Sequence, residues 1–303
     1  MKIAHLSDLH FGFSPGLDSF IERRLHEVCE AGADHLVISG DLSQSGRKEQ
    51  WEGLRHLLRR YGFFTPEALT VIPGNHDLFS FFFSHFHATI DFYAKLHRVP
   101  GTAIRIYRYG WQQYERDLAC FNAEFNYFSH LFTLEDAPAG GYPFIKILNE
   151  KVALIGLDSN RLLPQIRRNA ICSNGYVDLT STRHILAHPQ LHDKIKLVLL
   201  HHHLLPEKIL AGREGRWFAS ATRLLNRKEV VALLAQAGVD LVLHGHYHHQ
   251  ESYRLANTLR VLNNGDCRKW SLIEIRDGKI DLLSQPAPLV EMRFNEEPMN
   301  RSV

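Results

Sequence analysis

The sequence predicts an α/β fold built from parallel strand–helix–strand units. Two observations carry this. Short β-type apolar runs alternate with stretches of helical spacing along the 303 residues, which is the pattern of βαβ units. Five of those runs also end directly in Asp, Asn or His. Asp8-Leu-His10 follows Ile3-Ala-His-Leu6, and Gly40-Asp41 follows Leu36-Val-Ile-Ser39. Gly74-Asn75-His76-Asp77 follows Leu69-Thr-Val-Ile72 through Pro73. His201-His202-His203 follows Leu197-Val-Leu-Leu200, and Gly245-His246-Tyr247-His248 follows Leu241-Val-Leu-His244. Ligands of open α/β sheets bind beyond the carboxyl ends of strands, so five such endings point to one shared site.

Taken in order, residues 2–7 read as a buried strand. Leu17, Ile21, Leu25 and Val28 or Cys29 then recur at helical spacing as far as Gly32, giving the first helix. A strand at 35–39 follows. Trp51, Leu54, Leu57 and Leu58 mark a second helix that stops at Gly62, and a third strand spans 69–72. Residues 78–140 interrupt the alternation. Phe79, Phe81, Phe82, Phe83 and Phe86 crowd together, and Lys95, Arg98, Arg105, Arg108 and Arg116 make the segment mildly basic. It reads as a helical cap insertion with most of its phenylalanines packed on the body. Strands return at 143–148 and 152–157 about the turn Asn149-Glu-Lys151, ending in Asp158-Ser159. Asp158 reads either as a group supporting a ligand or as a strand-end turn carboxylate. A helix from Ser181 and a strand at 195–200 come next. A basic loop with Lys208, Arg213 and Arg216 leads to a helix over 221–237 that ends near Gly238, and a strand at 239–243. Residues 259–263 and 270–284 read as closing antiparallel strands, with Asp277-Gly278 as a hairpin turn. One domain over 1–284 results, followed by a polar tail, 285–303, expected to be loosely held.

The bulk composition narrows the class. An apolar fraction of 45% with 22% charged residues is that of a soluble globular protein. A net charge of +2 argues against nucleic acid as a partner. Cys29, Cys120, Cys172 and Cys267 are widely spaced, without a Cys-x-x-Cys pair, which argues against a zinc–thiolate site and a disulfide framework. A reducing, cytoplasmic location is expected. The N-terminal apolar run is interrupted by His5 and Asp8 and does not read as a signal peptide. No run long enough to span a membrane occurs.

Asp, His and Asn are oxygen and imidazole ligands, suited to divalent Mn, Fe, Zn, Co or Ni rather than to Ca or Cu(I). Asp8, His10, Asp41, Asn75, His201, His246 and His248 are more ligands than one ion needs. They suggest two ions sharing a carboxylate, about 3.5–4 Å apart as in two-metal hydrolytic sites. Two divalent ions against two carboxylates leave a positive centre that attracts phosphate. His5 and His244 lie inside strands and read as core or supporting histidines, and His249 reads as a surface residue.

The order Asp-x-His, Gly-Asp, Gly-Asn-His-Asp, His, Gly-His-x-His across residues 5–248 resembles the calcineurin-like metallophosphoesterase superfamily. Asp41-Leu-Ser-Gln-Ser-Gly46, with Glu49 after it, resembles the second block of its cyclic-nucleotide and glycerophosphodiester phosphodiesterase-like branch. Leu42-Ser-Gln44 departs from the Val-Asp-Arg-Gly continuation of protein Ser/Thr phosphatases. Gln44 stands where purple acid phosphatases need a tyrosine. The resemblance implies a two-sheet αββα sandwich and a phosphoesterase with two divalent ions, Mn and Fe favoured. Asp8, His10 and His248 would hold one ion, Asn75, His201 and His246 the other, and Asp41 would bridge. A metal-activated hydroxide would attack a small phosphodiester or phosphomonoester. His76 would contact the phosphate and act in catalysis, with His202 near the substrate. Within the triplet, His202 and His203 remain alternatives to His201.

Three rival readings stand beside it. The Phe-rich insertion and its arginines suggest a pyrophosphatase acting on a lipid-linked substrate, with peripheral membrane contact. A nuclease requires a local basic groove. A non-enzymatic scaffold on the same fold is expected to have eroded ligands, and here every ligand position is filled.

Overall fold

The structure is a computed structural model and describes residues 1–78, 115–125, 141–161, 173–256, 258–285 and 291–293. Two sheets face each other. In the first, β1 (Lys2–Leu6), β2 (His35–Ser39) and β3 (Leu69–Ile72) run parallel. The hairpin of β10 (Trp270–Arg276) and β11 (Lys279–Gln285) extends them on the β1 side, giving the order β11-β10-β1-β2-β3. The second sheet contains β4 (Phe144–Ile147), β5 (Val152–Gly156), β6 (Ile195–Leu199), β7 (Leu241–His244), β8 (Glu251–Leu255), β9 (Leu259–Asn263) and β12 (Glu291–Arg293). Their order is β12-β8-β9-β7-β6-β5-β4.

Side-chain alternation divides the second sheet between two cores. Leu197, Leu199, Leu241 and Leu243 share one cluster with β1, β2 and β3. Val198, Leu200 and Val242 join a separate cluster with the helices Leu179–Leu186 and Arg227–Gln236. A strand's residues point alternately to its two faces, so the first set fills the gap between the sheets and the second lies under the outer helices. The helices α1 (Pro15–Glu30) and α2 (Lys48–Arg60) contribute Ile21, Leu25, Val28, Trp51, Leu54 and Leu58 to the first cluster. Residues 115–125 are helical and bury Phe121 and Phe125 against Trp51. The expected α/β two-sheet sandwich is the observed fold.

Four expectations change. The helix read from Ser181 begins at Leu179, because Asp178 caps it by accepting from the Thr180 and Ser181 backbones. The basic loop at 208–216 is two short helices, Glu207–Glu214 and Arg216–Thr222. The following helix therefore starts at Arg227 rather than at 221. Strand β9 pairs parallel to β7 and antiparallel only to β8, a strand absent from the sequence reading. In the tail, Glu291–Arg293 pairs parallel with β8, and residues 286–290 and 294–303 lie outside the described residues. So does most of the proposed cap, including Phe79, Phe81, Phe82, Phe83 and Phe86. Cys29, Cys120 and Cys267 are free thiols.

Candidate metal centre

The five strand endings converge at one rim of the sandwich. Those after β1, β2 and β7 turn sharply as the strand stops. Asp8, His10, Asp41, His246 and His248 all have left-handed backbones, with φ of 52°, 47°, 50°, 69° and 54°. Such a conformation costs a non-glycine residue roughly 1–2 kcal/mol, and its concentration in five of the seven predicted ligands marks a functional site. The loops after β1 and β2 continue to pair beyond the strands, through Asp8 N–H to Gly40 O and His10 N–H to Asp41 O. Two glycines permit the close approach. A Cβ on Gly74 would lie 2.1 Å from Asp41 Oδ1, and one on Gly245 would lie 1.8 Å from Ser7 Oγ.

The ligand atoms fall into two groups that meet at Asp41. His248 Nε2 is 3.2 Å from Asp8 Oδ1 and 3.4 Å from His10 Nε2. His201 Nε2 is 3.4 Å from Asp41 Oδ2, 3.1 Å from Asn75 Oδ1 and 3.2 Å from His246 Nδ1. Asp41 Oδ2 also stands 3.8 Å from His10 Nε2, so a single oxygen borders both groups. Atoms bound to one ion at about 2.0–2.2 Å stand roughly 3–3.5 Å apart on a tetrahedron. The observed spacings therefore fit metal coordination by nitrogen and oxygen donors. His201 Nδ1–H donates to the Ser39 carbonyl at 3.0 Å, which turns Nε2 toward the group, as an oriented ligand histidine requires.

Charge is arranged around the two carboxylates. Burial alone would raise Asp8 and Asp41, but the facing histidines, chiefly His248 for Asp8 and His201 for Asp41, hold both below the ordinary carboxylate range. Burial would lower His201 and His248, yet Asp41 and Asp8 respectively raise each to about 9. His10 and His246, where burial prevails, fall to about 4 and about 3. The carboxylates thus favour positive charge at the rim, the condition under which divalent ions compete with protons.

His76 lies at the edge of this arrangement. Its backbone N–H donates to Asp41 Oδ1 at 2.8 Å, and its Nδ1–H donates to the Gln44 carbonyl at 2.8 Å. Its ring meets His10 edge-on at 4.5 Å. His202, expected beside a substrate, is buried. Ser159 Oγ accepts the backbone N–H groups of His201 and His202, both at 3.2 Å, and its own O–H donates to His202 Nδ1 at 2.9 Å. The ring packs on Gly175 and lies 4.5 Å from that of His246. His203 is buried behind the same ring.

The other histidines behave as read. His5 bonds Ser39 Oγ and His244 bonds Tyr253 Oη, both inside the core, while His249 is exposed. Asp158 Oδ1 accepts from its own turn at Asn160. Two supporting residues were given no role from sequence. Asp77 accepts from Leu42 N–H, Ser43 N–H, Ser43 Oγ and Gly74 N–H. Ser159 positions the histidine triplet. The signal for Asp77 was its place in the Gly-Asn-His-Asp block; Ser159 had only its position at a strand end.

Comparisons with known proteins bear on the fold and the family. The chain is similar in structure to a dimetal phosphatase from Danio rerio, at 8% identity and a TM-score of 0.60, covering 94% of this chain and 95% of that one. It is similar to a purple acid phosphatase from yellow lupin (Lupinus luteus) seeds, at 12% identity and a TM-score of 0.56, covering 97% and 54%. A protein from Thermus thermophilus gives 14% identity and a TM-score of 0.50, covering 93% and 97%. At such identities the likeness shows the fold. A comparison with curated proteins gives no match. The calcineurin-like phosphoesterase family matches residues 1–250, which takes in all five strand endings. The chain belongs to that family of metal-dependent phosphoester hydrolases.

Proposed function

We propose that the chain hydrolyses a small phosphomonoester or phosphodiester with the help of two divalent cations. The observation that carries this reading is Asp41 Oδ2, a buried carboxylate oxygen 3.4 Å from His201 Nε2 and 3.8 Å from His10 Nε2. Asp8, His10 and His248 would hold one ion and Asn75, His201 and His246 the other, with Asp41 between them. Nitrogen and oxygen donors of this kind accept Mn, Fe, Zn, Co or Ni, and Mn and Fe are favoured. Bound there, the ions supply Lewis-acid charge and a nucleophile competent at neutral pH.

The chain's own residues orient and discharge the substrate. The Gln44 carbonyl fixes His76 through Nδ1, so Nε2 is the atom assigned to the phosphoryl group. From there it stabilises charge on a phosphoryl oxygen or protonates the leaving oxygen. Ser159 and Ser39 hold His201 from two sides. His202 packs on the His246 ring from behind. The partner is a small phosphorylated molecule.

Hydrolysis of an aryl phosphodiester and its monoester counterpart tests this. The expected result is Mn-dependent turnover, lowered roughly 100-fold or more in His76→Ala and lost through weakened ion uptake in Asn75→Ala. Wild-type rates in both variants overturn the reading.

A further inference from the structure

His248 is the exposed member of the seven predicted ligands, with half of its side chain open to solvent; the rest are buried or nearly so. It sits in the connection 245–250 between β7 and β8, where its ring meets Asp8 and His10 on its inner side. Its flanking residues are both held by the end of the helix Glu207–Glu214. Tyr247 Oη donates to Glu214 Oε1 at 3.1 Å. His249 Nε2 stands 3.4 Å from the same oxygen. The Tyr247 and His249 rings stack with centroids 4.5 Å apart. Arg213 hydrogen-bonds Tyr247 and pairs at 2.8 Å with Glu251, the buried first residue of β8. The helix ends there, at Gly215 with φ 90°.

His246, two residues before His248, has supports of its own. Its backbone N–H donates to both Asp8 oxygens at 3.0 Å, and Gly245 N–H donates to the His201 carbonyl at 3.2 Å. The two ligands of one loop thus differ in their supports: the His246 backbone is held from within the sandwich, while both residues flanking His248 are tied to the outer helix.

We propose that Glu214, backed by Arg213, is a positioning residue for His248 and sets the affinity of the ion bound by Asp8, His10 and His248. The ion bound by Asn75, His201 and His246, with Asp41 shared between the two, is insensitive to it. This rests on the two-ion reading above. Outer partners that orient a ligand are worth 10–100-fold in metal affinity. Glu214 has that leverage because both neighbours of the exposed ligand share its carboxylate.

The experiment titrates metal-depleted protein with Mn²⁺ and follows free Mn²⁺ by its paramagnetic resonance. Wild type is expected to bind in two resolvable steps. Glu214→Ala weakens one step roughly 10–100-fold and leaves the other in place. Glu214→Gln, which still accepts from Tyr247, recovers most of the loss. Glu207→Ala removes the Arg223 pair at the other end of the same helix and moves neither step. Equal weakening of both steps in Glu214→Ala, or no weakening, overturns the proposal. A wild-type titration that saturates at one ion overturns the two-ion reading itself.

Discussion

At the scale of single residues, the rim is held by groups that never face a ligand. Asp77 is the clearest. Its carboxylate takes four donors from the segments around Asp41 and Asn75, while burial and then the charge of Asp41 push it up to about 6. In Asp77→Asn an amide N–H₂ must meet backbone N–H groups. Leaving a buried donor unsatisfied costs about 1–3 kcal/mol, so a loss of about that size is expected in urea unfolding of the metal-free variant. Gly245→Ala acts differently, because its methyl group would occupy the space of Ser7 Oγ and Asp8 Oδ2. It is expected to abolish ion uptake by the Asp8 group. The seven ligand candidates could be named from sequence because all of them lie in the short turns that follow five apolar runs. The role of Asp77 could not, since residue type alone does not tell whether a carboxylate turns to an ion or to backbone N–H groups.

At the scale of elements, the apolar runs gave β1, β2 and β3 to within a residue, because all their residues but Lys2, at the start of β1, are buried. The helices Glu207–Glu214 and Arg216–Thr222 escaped for the opposite reason. Each buries a single residue, Leu210 or Ala219, so neither carries a periodic apolar face. Strand β8 escaped because buried Glu251 and Ser252 open it. Strand β4 carries another buried polar group with a measurable consequence. Lys146 crosses the gap between the sheets and donates to the Leu69 carbonyl at the start of β3. Beside it, His35 bonds the Glu67 carbonyl and Thr70 Oγ1. Burial lowers Lys146 to about 7, against the opposing charge of Glu67. Burial, then Lys146, lowers His35 to about 3. A depressed folded pKa means that the unfolded chain binds the proton first. Stability is therefore lost as pH falls from the ordinary lysine value, ~10.4, to about 7. A further loss from His35 follows between the ordinary histidine value, ~6.5, and about 3. Lys146→Met is expected to flatten the first slope and gain about 1–3 kcal/mol at pH 6, read from urea midpoints across pH.

At the scale of the whole molecule, the two sheets meet through different chemistry at their two ends. Apart from Lys146, the interior between them is apolar, contributed by β1, β2 and β3 on one side and by Leu197, Leu199, Leu241 and Leu243 on the other. At the carboxyl rim the contacts across it are polar: His201 Nδ1 on the Ser39 carbonyl, and the His246 backbone on Asp8. Each proposed ion group draws from both sheets. Asp8 and His10 follow β1 while His248 follows β7; Asp41 and Asn75 follow β2 and β3 while His201 and His246 follow β6 and β7. Ions that bind the folded chain alone stabilise it by mass action, about 2.7 kcal/mol at a hundredfold excess over Kd. Here that energy acts across the gap between the sheets. Mn²⁺ is therefore expected to raise Tm with concentration, and a chelator to reverse the rise. Hydrogen exchange should slow on loading at 7–10, 40–44, 74–77, 200–203 and 245–248. The opposite end, where the Met1 amino group donates to the Ile275 carbonyl, should exchange at the same rate with and without metal if it opens locally. A rise in Tm with protection confined to one sheet's loops would show that the ions do not join the two halves.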